Sequence, residues 1–542
     1  MPEPKDLMAP VYPHLLEGEW PERLITDFLH EHARRKPEKP ALVDESRGRR
    51  VVLGFAGLAD RVDRIATALL GLGVRPGEVV CFQLPNYWEF VALQLALSRI
   101  GAVSCPLIPV FRERELRLMV GQSESRILVV PDRFRNFDYP RMVEGLRGDL
   151  PQLERVFVVG DEVPAWAEPF EELLEAEPDR KALEAVRPSP SDPTQLLYTS
   201  GTSGEPKGVV HVHNALILAD LLHIEHFRLG EEDTVFVPSP CAHQTGFLYG
   251  MWLAMVLGAT AVYQDVWDGR RGLELVRRYG VRFVQAATPF LVDLVEAVNE
   301  TGKSPEDLRI FVATGASVPR KLAQEAREVL GASVCGAWGT TEGCLVTAGT
   351  PDDPPEKTWQ TDGRLLPRME MRVVDDEGNP LPAGREGRFQ VRTPCLFTTY
   401  LHHPEWYQAA VSPDGWFDTG DLAVVDDEGY MSITGRVKDI INRGGEKVPV
   451  AEVEQLLYEH PAVSDVAIVA MPDPRLGERA CAYVVLRKGA TLTLEDVRGY
   501  LLARGMAKQY WPERIEVVEE LPRTASGKIQ KYVLRERAAR LV

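Results

Sequence analysis

The chain is 542 residues long, with 44% hydrophobic and 26% charged residues and a formal net charge of −18. These proportions are ordinary for a globular protein of more than one domain. The acidic balance argues against sequence-independent nucleic-acid binding and against adhesion to an anionic membrane surface, both of which rely on basic groups. Seven cysteines (positions 81, 105, 241, 335, 344, 395 and 481) form no C-x-x-C pair and no metal-ligand spacing, so buried, reduced thiols in a cytoplasmic protein are expected. The opening MPEPKDLMAP has neither the basic nor the apolar region of a signal peptide.

In chain order, FAGLADRVDRIATALLGLGV (55–74) carries apolar residues at helical spacing and ends at glycines. EVVCFQLP follows as a strand, and NYWEFVALQLALSRIGAVSCPL as a helix, a glycine and a strand. RILVV (126–130), RVFVVG (155–160) and TVFVPSP (234–240) are further short strands. The alternation predicts parallel sheets covered by helices. Residues 161–194 are acidic and proline-bearing, which suggests a surface excursion. The uncharged stretch 241–264 is about long enough to span a bilayer, but Gly246, Gly250 and Gly258 interrupt it. A buried helix followed by a parallel strand accounts for it better. From Met371 onward, MRVVDDEGNPLP, EGRFQVRT and YMSITGR are β segments joined by Asp/Glu-Gly turns, predicting a small antiparallel barrel or sheet. PVAEVEQLLYEH, VSDVAIVAMP, ACAYVVLRKG and LEDVRGYLLAR then predict an α+β unit of about 100 residues, a common domain size.

Between Tyr198 and Gly208 the chain reads YTSGTSGEPKG, with three glycines, four Ser/Thr hydroxyls and Lys207 within eleven residues. Glycines let successive backbone N–H groups converge on an anion, so the run suits a polyphosphate. It is not a Walker A loop, because Gly208 follows Lys207 where Ser or Thr is required. A flexible Gly/Ser linker is the competing account, but linkers seldom separate a strand from an apolar helix.

TSGTSGEPKG resembles the phosphate loop of the adenylate-forming superfamily, which comprises acyl-CoA synthetases, carrier-loading adenylation domains and firefly-type luciferases. Three further segments resemble the same superfamily in the same order: AWGTTEG (337–343), GWFDTGDL with GRVKDIINRGGEKV (415–448), and LPRTASGKIQK (521–531). The resemblance implies a large N-terminal adenylation domain (1–434), a hinge (435–440) and a small mobile C-terminal domain (441–542). It implies ATP, Mg²⁺ and coenzyme A as cofactors, a small carboxylic acid as substrate, no nucleic-acid partner and no stable membrane insertion, and it allows a homodimer.

Residue by residue, the resemblance implies that Thr199, Ser200, Thr202 and Ser203, with the backbone of Gly201 and Gly204, hold the β- and γ-phosphates, Lys207 adding charge. In AWGTTEG it assigns Thr341 to the α-phosphate and Glu342 to Mg²⁺, with Ala337, Trp338, Gly339 and Thr340 beside the nucleotide. Gly315, Ala316 and Ser317 line the other side of the adenine. Asp421 and Arg436 correspond to ribose contacts, two hydroxyl donors facing a carboxylate being sound chemistry. Lys528 corresponds to a lysine bridging the substrate carboxylate and the adenylate. Lys438 occupies the hinge, and Gly444 and Gly445 lie in the loop that shapes a tunnel for a pantetheine thiol. His243 matches a position near the acyl group and the thiol, although a lone His on an apolar segment is as often a packed core residue.

Phe247, Ala316, Trp338, Thr340 and Cys344 are candidate walls of the acyl pocket; none is a basic residue placed to pair with a second carboxylate, and no obvious acidic group awaits an amino-acid ammonium. That favours an apolar monocarboxylic acid. The texture most resembles short- to medium-chain fatty acid and cyclohexanecarboxylate–CoA ligases. NRGGEKV and AKQYWPE also resemble dihydroxybenzoate–AMP ligases, which load a carrier protein.

Overall fold

A computed structural model describes residues 20–199, 206–315, 320–443, 446–523 and 528–541. Two large sheets form the N-terminal part. In the nine-stranded one, Phe283–Ala286, Ile310–Ala313 and Ser333–Thr340 run parallel, with Val284 opposite Phe311 and Phe311 opposite Val334. The period of two explains why these strands are apolar on both faces: Phe283, Ile310, Val312 and Cys335 face one core, while Val284, Phe311, Ala313 and Val334 face another.

In the eight-stranded sheet, Val79–Phe82 runs parallel to Val103–Pro106 and to Ile127–Pro131. Pro193–Thr199 and Lys207–Val212 form an antiparallel hairpin in this sheet, with Thr199 opposite Lys207. The helix His213–Phe227 follows immediately. The expected strand and helix are therefore present, while the phosphate-loop residues 200–205 lie outside the described residues.

The uncharged 241–264 segment folds as an interrupted helix, with a π-helical turn over Phe247–Trp252 and an α-helical turn over Leu253–Leu257. The strand Ala261–Tyr263 then lies parallel to Val235–Val237. Gly258 ends the helix at φ +67°, and a Cβ on Gly250 would lie 2.7 Å from a Val237 methyl, so glycine sets how closely helix and strand approach. Among the described residues, no helix is long and apolar enough to cross a membrane.

The 161–194 segment is more structured than its composition suggests. It carries a 3₁₀ turn (Phe170–Leu174) and a helix (Arg180–Ala185), and Phe170, Leu173 and Leu183 are anchored in the main core. All seven cysteines are buried free thiols.

Glu370–Val374, Gly387–Arg392, Phe417–Val425 and Met431–Arg436 make a four-stranded antiparallel sheet. From Ile441 onward the chain builds cores of its own. Val466, Ile468 and Ala482 face one side with the helices Val450–Tyr458 and Leu494–Ala503. Ala467, Val469 and Tyr483 face the other with Leu534 and Ala538 of the helix Lys531–Ala539.

Buried ionisable groups give this fold a defined acid response. Burial lowers His211 to about 4, His213 to about 3 and His243 to about 3, and it carries His223 well below 6.5. Each stays neutral in the fold while the unfolded chain protonates it below about pH 6.5. Their contribution to stability is therefore complete above that pH and lost as pH falls. Asp220, raised well above 3.8, and Asp362, raised to about 6, act in the opposite sense. Among these six groups the four histidines outweigh the two carboxyls near pH 5, so unfolding takes up protons there and stability falls as the pH is lowered. Denaturant unfolding at pH 6 and pH 5 will show a marked loss of stability at the lower value; equal midpoints would contradict the assignment.

Candidate active site

The strands Ser333–Thr340 and Cys344–Ala348 form a tight hairpin in which Thr340 opposes Cys344. Its tip presents Thr341 and Glu342. Gly339 allows the close approach, since a Cβ there would sit 2.5 Å from the Cys344 carbonyl oxygen. The Gly343 N–H donates to Thr340 Oγ1 at 2.9 Å. Two residues that the motif string did not contain hold this tip. His211 Nε2 donates to the Thr341 carbonyl at 2.7 Å, and Tyr400 Oη donates to Glu342 Oε1 at 3.0 Å. Burial, and secondarily Glu342, raise the Tyr400 phenol, so it remains a donor.

Tyr400 lies on the short strand Thr399–Tyr400, which pairs with Lys207–Val212. That pairing brings Lys207 over two aromatic faces, 4.9 Å from the Tyr400 centroid and 5.2 Å from Trp406. Lys207 is thus held by cation–π contacts rather than freely solvated, with Thr199 opposite it at the other end of the 200–205 loop.

Trp338, Asp421 and Arg436 form one cluster. The Trp338 indole donates to Asp421 Oδ2 at 3.0 Å, and Arg436 Nε lies 3.2 Å from Asp421 Oδ1. Asp421 and Arg436 are direct partners across neighbouring strands. Phe389 meets the indole edge-on at 4.8 Å. Ala337 is buried beside Trp338 and faces Ala348.

Lys528 reaches this cluster from the C-terminal unit. Its Cε would lie 3.5 Å from a Cβ on Gly315. Burial is the largest influence lowering its pKa, and Arg436 adds to it, while Asp421 and Glu342 pull the other way. His243 senses the same lysine: burial first and Lys528 second press it to about 3. His243 Nδ1 accepts the Thr245 N–H at 3.3 Å, which leaves the proton of the neutral ring on Nε2. Gly315, Glu342, Asp421, Arg436, His243 and Lys528 therefore converge. Ser200, Gly201, Thr202, Ser203, Gly204, Ala316, Ser317, Gly444 and Gly445 lie outside the described residues; Lys438 is on a 3₁₀ turn, Val437–Asp439.

The pocket side is more polar than the sequence suggested. Gln244 Nε2 donates to Cys344 Sγ at 3.9 Å, while its Oε1 is buried without a partner. The Leu345 N–H donates to Tyr249 Oη at 2.5 Å, and His223 stacks on the Tyr249 ring at 4.8 Å. Asp220, which no sequence motif singles out, is fully buried close to Tyr249, Cys344 and Cys395.

Site residues Gly315 and Thr340 lie at the C-terminal ends of the parallel strands, where open α/β sheets bind ligands. A cavity of about 550 Å³ lined by Arg282, Arg309, Arg327 and Ser333 lies instead at their N-terminal ends. Among the described residues, no cluster of three or more His, Cys, Asp and Glu could hold a metal by itself.

Known proteins resemble the chain over nearly its whole length. Residues 29–401 match the family described as AMP-binding enzyme, and residues 452–528 its C-terminal domain. The chain is 35% identical to a medium-chain fatty-acid–CoA ligase of Escherichia coli over 96% of its own length and 91% of that protein's. It is 34% identical to a salicyl-AMP ligase/salicyl-S-ArCP synthetase of Mycobacterium tuberculosis, covering 95% of this chain and 91% of that one. A crystal structure of an anthranilate CoA ligase with anthranoyl-AMP superimposes with a TM-score of 0.86 at 25% identity, covering 96% and 98% of the two chains. The chain belongs to the AMP-binding enzyme family, the adenylate-forming superfamily whose acyl-CoA ligases use ATP, Mg²⁺ and coenzyme A.

Proposed function

We propose that this protein activates a carboxylic acid with ATP and passes the acyl group to the thiol of coenzyme A. In the first step a carboxylate oxygen attacks the α-phosphorus and pyrophosphate leaves. In the second, sulfur attacks the acyl carbon, AMP leaves and the thiol proton goes to solvent. The observation that carries this reading is the convergence of Glu342, Asp421 and Arg436 with Lys528, which comes from a separately cored unit. A cation between two anions lowers the repulsion that opposes the first step.

In this reading Trp338, Gly339 and Thr340 with Gly315, Ala316 and Ser317 border the adenine, and Thr341 holds the α-phosphate. Asp421 has four lone-pair sites, so it can serve the ribose hydroxyls while also accepting from Trp338. The 199–204 loop and Lys207 take the departing pyrophosphate. Glu342 fits Mg²⁺ that arrives with nucleotide: it is one carboxylate, oriented by Tyr400, where a resident metal would need a fuller ligand set. Bound there, Mg²⁺ would offset phosphate charge.

The adenylation domain spans 1–434 and the mobile domain 441–542. Rotation about 435–440, centred on Lys438, would withdraw Lys528 and bring Gly444 and Gly445 beside the thiol near His243. The free, buried cysteines support a cytoplasmic setting.

The acid is a short- or medium-chain fatty acid or a cyclohexanecarboxylic acid. A second reading, an aryl acid loaded onto a carrier protein, is favoured by the ring of His223, Phe227, Tyr249 and Phe283, whose centroids lie 4.7–5.9 Å apart. CoA-dependent AMP release across linear, alicyclic and aromatic acids separates the two. Release with a fatty or alicyclic acid supports the first reading. Pyrophosphate exchange with an aryl acid, without CoA turnover of any acid, replaces it with the second.

A further inference from the structure

The helix His213–Phe227 has apolar residues all around it, yet it also carries Asp220 and His223, each fully buried. Among the described residues, neither Asp220 oxygen and neither His223 nitrogen has a hydrogen-bond partner. Leaving such groups unpaired in an interior costs about 1–3 kcal/mol each, and an unpaired buried polar group in a native fold calls for an explanation. Their spacing of three residues puts them on one face of the helix. That face meets Tyr249, which stacks on His223, and Cys344, which follows the Glu342 tip and senses Asp220.

The pair lies beside Tyr249, whose hydroxyl accepts the Leu345 N–H next to Cys344, a candidate wall of the acyl pocket. Tyr249, Cys344 and Cys395 all lie close enough to Asp220 to sense it. We infer that Asp220 and His223 form the remote polar end of the acyl pocket and bind a hydroxyl carried by the acid at the end away from its carboxylate. The chemistry matches. Burial holds Asp220 protonated and His223 uncharged, so each offers one donor and at least one acceptor. A hydroxyl both donates and accepts, and it brings no charge that would have to be desolvated. An alkyl terminus would leave all four atoms unsatisfied.

This inference rests on the proposed acid activation. Its test uses the full-length protein and ATP–pyrophosphate exchange with three matched pairs: 4-hydroxybenzoate and benzoate, 4-hydroxycyclohexanecarboxylate and cyclohexanecarboxylate, and 6-hydroxyhexanoate and hexanoate. In the pair that fits, the hydroxy acid will exceed its parent in kcat/KM by about 100-fold, because a site built for a hydroxyl rejects the analogue lacking it. In Asp220→Leu that ratio will fall towards one while the melting temperature holds or rises, since a buried polar group without a partner is being removed. Asp220→Asn, which keeps the shape and hydrogen-bonding capacity, will retain most of the ratio and guards against misfolding of the leucine variant. Preference for the parent acid in all three pairs, or a ratio that survives Asp220→Leu, overturns the inference while leaving acid activation standing. Absence of exchange with all six acids in the unmodified protein overturns both.

Discussion

Replacing Lys528 with alanine will reduce acyl-adenylate formation by about 10²–10³-fold, the usual cost of removing one preorganised group that stabilises developing charge. Thioester formation from supplied acyl-AMP will continue near its original rate. The asymmetry follows from where the lysine sits and what holds it. Arg523 pairs with Ile529 across a backbone bridge, and the Gln530 N–H donates to the Pro522 carbonyl at 2.7 Å. These contacts clamp the base of the loop and project Lys528 over Gly315, towards Asp421 and Glu342. The ammonium is therefore delivered to the region assigned to the α-phosphate by a unit with its own core. In the proposed cycle it leaves when that unit turns, and only the first half-reaction uses it. Pyrophosphate exchange and thioester formation from acyl-AMP, measured separately, decide the matter. Equal loss in both would make Lys528 a structural residue, and survival of both would remove it from the chemistry.

The strings that carry chemistry were readable because each is local. Thr341 with Glu342, Asp421 in DTGD, Arg436 in GRVKD and Lys528 in TASGK announce themselves within a few residues. The strands were readable for a related reason: a strand buried on both faces has a continuous apolar run, as in Val79–Phe82. What stayed hidden depends on distant partners. Tyr400 reaches Glu342 across 58 positions and His211 reaches Thr341 across 130. A faint signal existed for Tyr400, which stands in the apolar run CLFTTYL, where a buried phenol needs an acceptor. Asp220 left a clearer one, an acid in the middle of the apolar run ALILADLL, since acids are almost never fully buried without a purpose. In the 161–194 segment the acidic composition masked isolated anchors, because Phe170 and Leu183 follow no period that a pattern could reveal.

Asp421→Ala will raise the KM for ATP by about 100-fold or more, and it will also destabilise the fold, so the two effects must be separated. The carboxylate is buried at 6% exposure and accepts the Trp338 indole N–H. Without it that donor is orphaned in the interior, at about 1–3 kcal/mol. Arg436 matters less to stability, because its side chain is 48% exposed and water can replace the partner. Pairing Asp421→Ala with Trp338→Phe resolves the ambiguity. Phenylalanine keeps an aromatic ring against Phe389 but carries no N–H, so the double variant has no orphaned donor. If Asp421 serves only to satisfy the indole, the double variant will recover both its melting temperature and its KM for ATP. If Asp421 contacts the ribose, the melting temperature will recover and the KM for ATP will stay high. The second outcome is the expected one, because a carboxylate needed only to cap an indole would gain nothing from facing Arg436, Lys528 and the nucleotide side of the hairpin.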